Sequence, residues 1–569
     1  MTIPSASTCI LALASLAGLA SAQSELSFAA TALPNGVFTG SSAIDLQPDS
    51  DVIAELMGLS AVVLTDFPMP GARPVDLELA RLQFDPLTAT VFVDGRPAIF
   101  DPLDLTMWEG RVVGKAGSRV SISFSSHGCY GWIDDGQTHI NVTAFPSQSE
   151  GWSRAGMRLY TDDALLASGN LLGPLCASDS LLTGPAGPDF IDPTQLPAPS
   201  WSGSTLDCKV AVETDHQLYQ VWNDLQAEQT YVFALLAAVS DRYLGQINTV
   251  LTYPYVQFYT APSDPWVTQD TGGSSGDLLN EFRAAWANNV PAGANLAHFL
   301  SGASLGGGVA TVGTICSGQN GFAVSGNING GVSFPVTQGS GTWDFFVTAH
   351  ELGHNFGTLH THNYCPPLDE CADNCNNQTN CTTQGTNMSY CHGCPGGMTN
   401  ITTFFHPTVV GVMRSAAEAS CIDVYNPTTP TQLFADDFES GNLTSGGWTL
   451  SNFPAQVLTT ATKEGSFGCR IRNKRWIEKT LDTTGYSVIT VKVWRRTKNY
   501  DANEGFRLRV HDGTSWTNIE EADEYGWGQL EVQLPASAGN NPALRVRFKS
   551  RGSQGNERGD IDSVVIYGR

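Results

Sequence analysis

Basic residues are scarce in this chain: 30 Lys and Arg stand against 55 Asp and Glu in 569 residues, a formal net charge of −25. Such an acidic balance argues against nucleic acid or an anionic membrane as the natural partner, because both would be repelled. The deficit is uneven. Residues 1–432 hold 12 basic and 38 acidic residues, a net of −26, whereas 433–569 hold 18 and 17, a net of +1, so two unlike modules are joined. Long apolar runs are missing too. After the first 22 residues nothing approaches the ~18 residues of a membrane span, and the charged end 559–569 is no lipid-anchor signal. The expectation is a chain with no membrane anchor. At the other end, an apolar run from Cys9 to Ala20 followed by Ala20-Ser21-Ala22 before Gln23 reads as a secretory signal, too short to span a bilayer. The expected location is therefore extracellular.

Cysteine fits that compartment. Thirteen are present, twelve once Cys9 is removed, and an even number in an exported chain suggests disulfides. Six of them, Cys365, Cys371, Cys375, Cys381, Cys391 and Cys394, fall within 30 residues. The Cys391-x-x-Cys394 spacing also suits a metal, but in an oxidising compartment a disulfide-stapled loop is the better reading, with its connectivity open.

Just before that loop runs His350-Glu351-Leu352-Gly353-His354-Asn355-Phe356-Gly357-Thr358-Leu359-His360. Residues four apart on a helix lie about one turn apart on one face, so His350 and His354 aim their rings at a common point. The same helix cannot also deliver His360. Gly357 supplies the left-handed residue at which the helix stops and the chain reverses. Three His ligands on one Zn2+ leave the fourth tetrahedral position to water, which marks a catalytic site. Glu351 then stands beside that water as general base for attack on a polarised carbonyl. An ordinary polar helix is the bland alternative, and the added Gly357 and His360 weigh against it.

The extended motif resembles that of the metzincin zinc metallopeptidases. The resemblance implies a twisted mixed sheet with helices, hydrolysis of peptide bonds, and a methionine turn beneath the metal. Met388, in Gly385-Thr386-Asn387-Met388-Ser389-Tyr390, is the candidate for that turn; Met398 competes, and either also serves as a core gap-filler. Gly353 to Gly357, His360-Thr361-His362 and Pro366-Pro367-Leu368-Asp369-Glu370-Cys371 are similar to the adamalysin or reprolysin branch of microbial type, although Thr361 replaces the Asp of the animal members. Gly307 to Cys316 resembles the edge strand above the family's cleft, against which a substrate would lie as an added strand. His362 and His392 are left out of the ligand set.

Upstream, residues 23–200 read as short strands separated by Gly and Pro, including Ala89–Arg96 and Ser118–Phe124. Their place ahead of a peptidase resembles a reprolysin-type propeptide. Such propeptides often block zinc with a thiolate, and Cys176 is the candidate, with a Cys129–Cys176 disulfide as the alternative. No Lys or Arg lies between Arg158 and Lys209, so release of this region near 180–205 points to self-cleavage or a non-basic protease. The peptidase region opens with a strand at Lys209–Asp215 and a helix through Thr230–Val239, followed by strands at 249–259 and 308–315. Glu213 and Asp215 are either a calcium site, as in some relatives, or a solvated strand end. Asp560 and Asp562 leave the same choice, calcium or the end of a strand.

From 433 on, alternating strands such as Ser487–Trp494 fit a two-sheet sandwich. Trp448, Trp476, Trp494, Trp516 and Trp527 are read as buried core rather than as a binding face. The fold class is thus multidomain α+β: signal peptide 1–22, β-rich propeptide 23–200, metzincin catalytic domain 206–425, linker 426–432 and jelly-roll-like β-sandwich 433–569. The function is a secreted zinc-dependent endopeptidase, made as a latent precursor and acting on proteins or peptides, with a polysaccharide or matrix component as candidate target of the C-terminal region. The alternative is an extracellular adhesion or matrix-binding protein with an incidental metzincin domain. Asn-x-Ser/Thr sites occur at Asn141, Asn377, Asn380, Asn387, Asn400 and Asn442.

Overall fold

A computed structural model describes residues 24–33, 42–82, 89–98, 104–162, 164, 203–330 and 341–568, apart from short gaps at 136, 377, 382–383, 426–430, 452–454, 464, 487, 502–503 and 523–525. The signal segment, Cys176, the 180–200 cleavage region and most of the 426–432 linker lie outside the described residues. Two compact units divide the chain, one within 1–83 and 104–169, the other within 84–103 and 170–569.

The first unit packs a short helix, Ser50–Met57, on one ten-stranded sheet, antiparallel except where Ser24–Ser27 runs parallel to Ala61–Phe67. Strand alternation builds its core: Val120, Ile122 and Phe124 point inward from Arg119–Phe124 and meet Leu64, Leu77 and Trp108. Buried Arg158 donates to both carboxylate oxygens of Asp45 at 2.7 and 2.8 Å, a two-pronged pair that leaves neither charge uncompensated.

In the second unit residues between 90 and 424 form an eight-stranded sheet. Its strands are β1 (Thr90–Val93), β2 (Arg96–Pro97), β3 (Leu206–Thr214), β4 (Thr249–Phe258), β5 (Leu296–Leu300), β6 (Gly308–Ala310), β7 (Phe322–Ser325) and β8 (Asp423–Val424). They lie in the order β6-β7-β5-β3-β4-β1-β2, with β8 alongside the start of β3. The pairs β7/β5, β5/β3, β3/β4 and β4/β1 are parallel, and β6 is antiparallel to β7. β3 is buried along most of its length, as a central parallel strand must be.

Helix ends follow local chemistry. α1 (His216–Trp222) starts at Asp215, α2 (Leu225–Ile247) at Asp224, and each carboxylate accepts a main-chain N–H of the first turn. Asn223 and Asn248 end these helices in the left-handed conformation. α3 (Ser275–Trp286) opens with a reciprocal capping box between Ser274 and Asp277. α4 (Gly341–Asn355) carries the histidine motif, and α5 (Pro407–Ala419) starts with proline where no N–H is needed.

Three sequence expectations change here, and the disulfide-stapled loop holds. The strand at 308–315 is only three residues long, because the chain turns after Ala310 and Cys316 takes φ 66 in a disulfide with Cys421. Residues 90–97, read within the β-rich first region, instead add to the peptidase sheet. The cysteine-rich loop is stapled by Cys365–Cys375, Cys371–Cys391 and Cys381–Cys394, so Cys391 and Cys394 bond to other partners rather than to a shared metal. Cys129, Cys208 and Cys469 remain free and buried, so the even count did not mean full pairing; interior thiols serve as small apolar groups. Cys129 in particular is not bridged to Cys176, and burial pushes its thiol up to about 12. Of the glycosylation motifs, Asn141 and Asn387 are buried and closed to a glycan in the folded protein.

Residues 431–568 form two antiparallel sheets of six and five strands, whose inward side chains, among them Phe438, Ile471, Val493, Phe506, Val546 and Ile566, make one core. Of the five tryptophans read as core, only Trp448 is buried. Trp476, Trp494, Trp516 and Trp527 are half-buried, each with a cation over its ring, as Arg547 lies 4.1 Å from Trp476 and 3.8 Å from Trp516.

Candidate metal centre and active site

α4 presents His350 and His354 on consecutive turns with Glu351 directly after the first, and its end is built to stop. The carbonyls of His354 and Asn355 accept from Gly313 and Thr314 N–H, and Gly357 takes φ 88. The reversed chain then brings in His360. The Nε2 atoms of His354 and His360, and those of His360 and His350, stand 3.1 Å apart. Three ligands on a tetrahedral ion at roughly 2.0 Å would sit about 3.3 Å apart. The other ring nitrogens are engaged. His350 Nδ1 lies 2.5 Å from the Asn387 carbonyl and His354 Nδ1 2.8 Å from that of Thr358. A carbonyl only accepts, so each Nδ1 carries the proton and each Nε2 lone pair faces the common point. Burial, then the neighbouring His354 and His360 rings, hold His350 well below the usual imidazole range. Converging neutral lone pairs in a buried pocket repel one another unless a cation lies among them, so the donor set fits a zinc-type ion.

Glu351 is buried beside these rings, and its carboxylate lies so close to β6 that a methyl at Gly308 would overlap it. Met388 is buried under the motif, and a methyl at Gly353 would run into its sulfur. The Met388 carbonyl accepts from Thr361 N–H at 2.9 Å and Thr361 Oγ1 at 3.1 Å, which fixes the chain just past His360. Met398 sits instead in the turn Gly397–Asn400. His362 stacks on His360 with ring centres 5.2 Å apart, and His392 packs on Phe346 at 5.0 Å. Neither joins the three-histidine group among the described residues.

The calcium option at Glu213 and Asp215 meets a different environment from a solvated strand end. Both are buried. Asp215 already accepts from Leu218 N–H, Gly302 N–H, Gln269 Nε2 and Ser301 Oγ, so both its oxygens are spent on protein donors. Asp560 is likewise taken up by Arg470 and Arg496 at 2.7 and 2.9 Å, and with Asp562 it lies inside the strand Arg558–Gly568 rather than at its end. Among the described residues the all-oxygen trio suited to a hard cation is Asp501, Glu504 and Glu557, each offering one oxygen within 4.8 Å of the others.

The family comparison falls on the same stretch of chain. Residues 204–405 match the Reprolysin_5 model of metallo-peptidase family M12. This segment is an M12 metallopeptidase domain. The M12 segment holds the three histidines, Glu351 and Met388. No curated protein matches the chain. Among solved structures, metalloproteinase-II from Bacteroides fragilis is similar at 12% identity and TM-score 0.33, covering 55% of this chain and 85% of that one. The CBM22-1 xylan-binding domain from Paenibacillus barcinonensis Xyn10C is similar at 15% identity and TM-score 0.21, covering 25% of this chain and 96% of that one. Scores this low carry no further weight.

Several residues of the M12 site have no signature in the sequence pattern. Asn387 and Thr358 act through main-chain carbonyls, which any side chain would supply. Gly308 matters for what it lacks. Asp344, in the first turn of α4, accepts on Oδ2 from Tyr231 Oη, Asn329 N–H at 3.1 Å and Gly330 N–H at 2.7 Å, while its buried Oδ1 has no hydrogen-bond partner among the described residues. Burial pushes it up to about 7, against the pull of these three donors toward the charged form. It ties α4 to α2 and to the chain after β7. An acidic residue two turns before a histidine motif was the signal available.

Proposed function

We propose that the chain is a secreted zinc endopeptidase, made as a latent precursor, with His350, His354 and His360 as ligands and Glu351 as general base. The convergence of three Nε2 atoms at 3.1 Å beside a buried carboxylate carries this reading. His350, His354 and His360 would hold a zinc ion, which when bound would supply an acidified water and a Lewis acid for a peptide carbonyl. Glu351 takes the proton of the attacking water and passes it to the departing amine. Gly308 leaves room for that carboxylate at the cleft edge, where the short β6 offers main-chain groups to an extended substrate. Met388 forms the floor under the histidines and so orients them without touching substrate.

Residues 1–22 are proposed as the export signal, 23–200 as the proregion with Cys176 as its zinc-blocking thiol, 206–425 as the metzincin catalytic domain, 426–432 as linker and 433–569 as a jelly-roll-like targeting module. Residues 185–199 hold five prolines and no basic residue, which supports a cut there by the enzyme itself or a non-basic protease. Disulfides and the absence, among the described residues, of any helix long and apolar enough to cross a membrane support an extracellular setting. The test is Glu351→Ala in the chain cut between 180 and 205: the peptide hydrolysis of the cut parent should fall by about 10²- to 10⁴-fold with one zinc still bound. Retained hydrolysis would remove Glu351 from the mechanism.

A further inference from the structure

β4 is the outermost strand that residues 206–425 themselves supply on the side of the sheet away from β6. Outer strands expose unpaired main-chain groups and are usually blunted. Pro254 blunts the first half of β4, since it has no N–H to offer. Past Pro254 the protection ends, and there Tyr255–Phe258 pair in parallel with Thr90–Val93. The fit extends beyond the ladder. Val91 is buried and the Phe92 ring lies 4.9 Å from that of Tyr255. Asp94 donates its N–H to the Phe258 carbonyl at 2.9 Å, and its carboxylate accepts from Thr260 N–H, Thr260 Oγ1 and Ala261 N–H at 2.9, 2.7 and 3.2 Å. A segment more than a hundred residues upstream thus completes the peptidase sheet through noncovalent contacts.

We propose that β1 is a retention strand: after the cut near 180–205, the proregion stays on the mature enzyme because residues 89–98 remain in the sheet. This rests on the reading of 23–200 as a proregion. Retention here is separable from blocking of the active site, because β1 lies five strand positions from β6, roughly 24 Å at ~4.8 Å per strand, and Glu351 lies against β6. The mature protein is then a two-chain complex, and full release of the proregion bares the edge at Tyr255–Phe258.

The test uses the full chain carrying Glu351→Ala, to prevent self-digestion, with a site for an unrelated specific protease inserted between 185 and 199. After cutting, the two pieces should co-elute in size exclusion at micromolar concentration, with those amides of 255–258 that face residues 90–93 protected from deuterium exchange. Asp94→Ala with Val91→Lys should cut the retained proregion about tenfold or more, since three acceptor bonds and a buried contact go, and should expose those amides. Separation of the parent pieces, lack of protection at those amides in the parent complex, or undiminished retention in the variant would each overturn the proposal. Should the variant fail to fold, the exchange measurement on the parent decides. Failure of the proregion reading would show elsewhere, as a secreted wild-type chain whose mature amino terminus lies outside 180–205.

Discussion

Glu351 and Gly308 sit so close that neither can change size without moving the other. Glu351→Ala should lower peptide hydrolysis by about 10²- to 10⁴-fold, the usual worth of a positioned base, while metal analysis still finds the zinc. Gly308→Ala should act from the other side. Its added methyl displaces the carboxylate and should lower kcat/KM about tenfold or more, since displacement of about 1 Å is costly, again with zinc retained. Unchanged kinetics in that variant would mean the carboxylate does not need its present position. Asp344 gives a pH test. It is held at about 7 against an ordinary 3.8, so between those values the folded state keeps a proton that the unfolded chain has lost. Its contribution is full below about 4 and is lost as pH rises toward 7. Asp344→Asn should remove that decline, seen as a flatter denaturant midpoint against pH than in the parent.

At the scale of elements, the Cys316–Cys421 bond joins the turn after β6 to the chain beyond α5 across 105 residues. Replacing both with serine should cost about 2–5 kcal/mol, as expected for closure of a long loop, read from the denaturant midpoint. What could be read without the structure follows the same division between local and distant. The histidine motif was legible because its geometry is local: four-residue spacing on a helix and a glycine stop. α2 was legible in part for that reason, through its run Thr230–Val239, whereas α1 and the caps at Asp215 and Asp224 were not read. β1 was legible as a strand but not as a strand of the peptidase sheet, because four residues read alike whichever sheet they join. Asp215 looked solvated because the groups that bury it, Gln269, Ser301 and Gly302, lie 54 to 87 residues away. The tryptophans misled because arginine and lysine lie over them, and a cation can partner a half-exposed ring as well as an apolar wall can enclose a buried one.

Over the whole molecule, the charge break near 432 coincides with a change of architecture, from the peptidase sheet to a pair of sheets whose core is drawn from 438–566 alone. Removing 433–569 should therefore leave hydrolysis of short peptides within about twofold and weaken retention on any matrix or polysaccharide target. A large loss on short peptides would mean that the C-terminal region supports the site. The most direct test of zinc-dependent hydrolysis at His350, His354 and His360 is cleavage of a denatured protein by the purified chain, before and after a cut between 180 and 205, with and without a zinc chelator. Activity that emerges on cutting and disappears with the chelator is the predicted result. No hydrolysis by either form while zinc is bound would contradict it and favour a binding role.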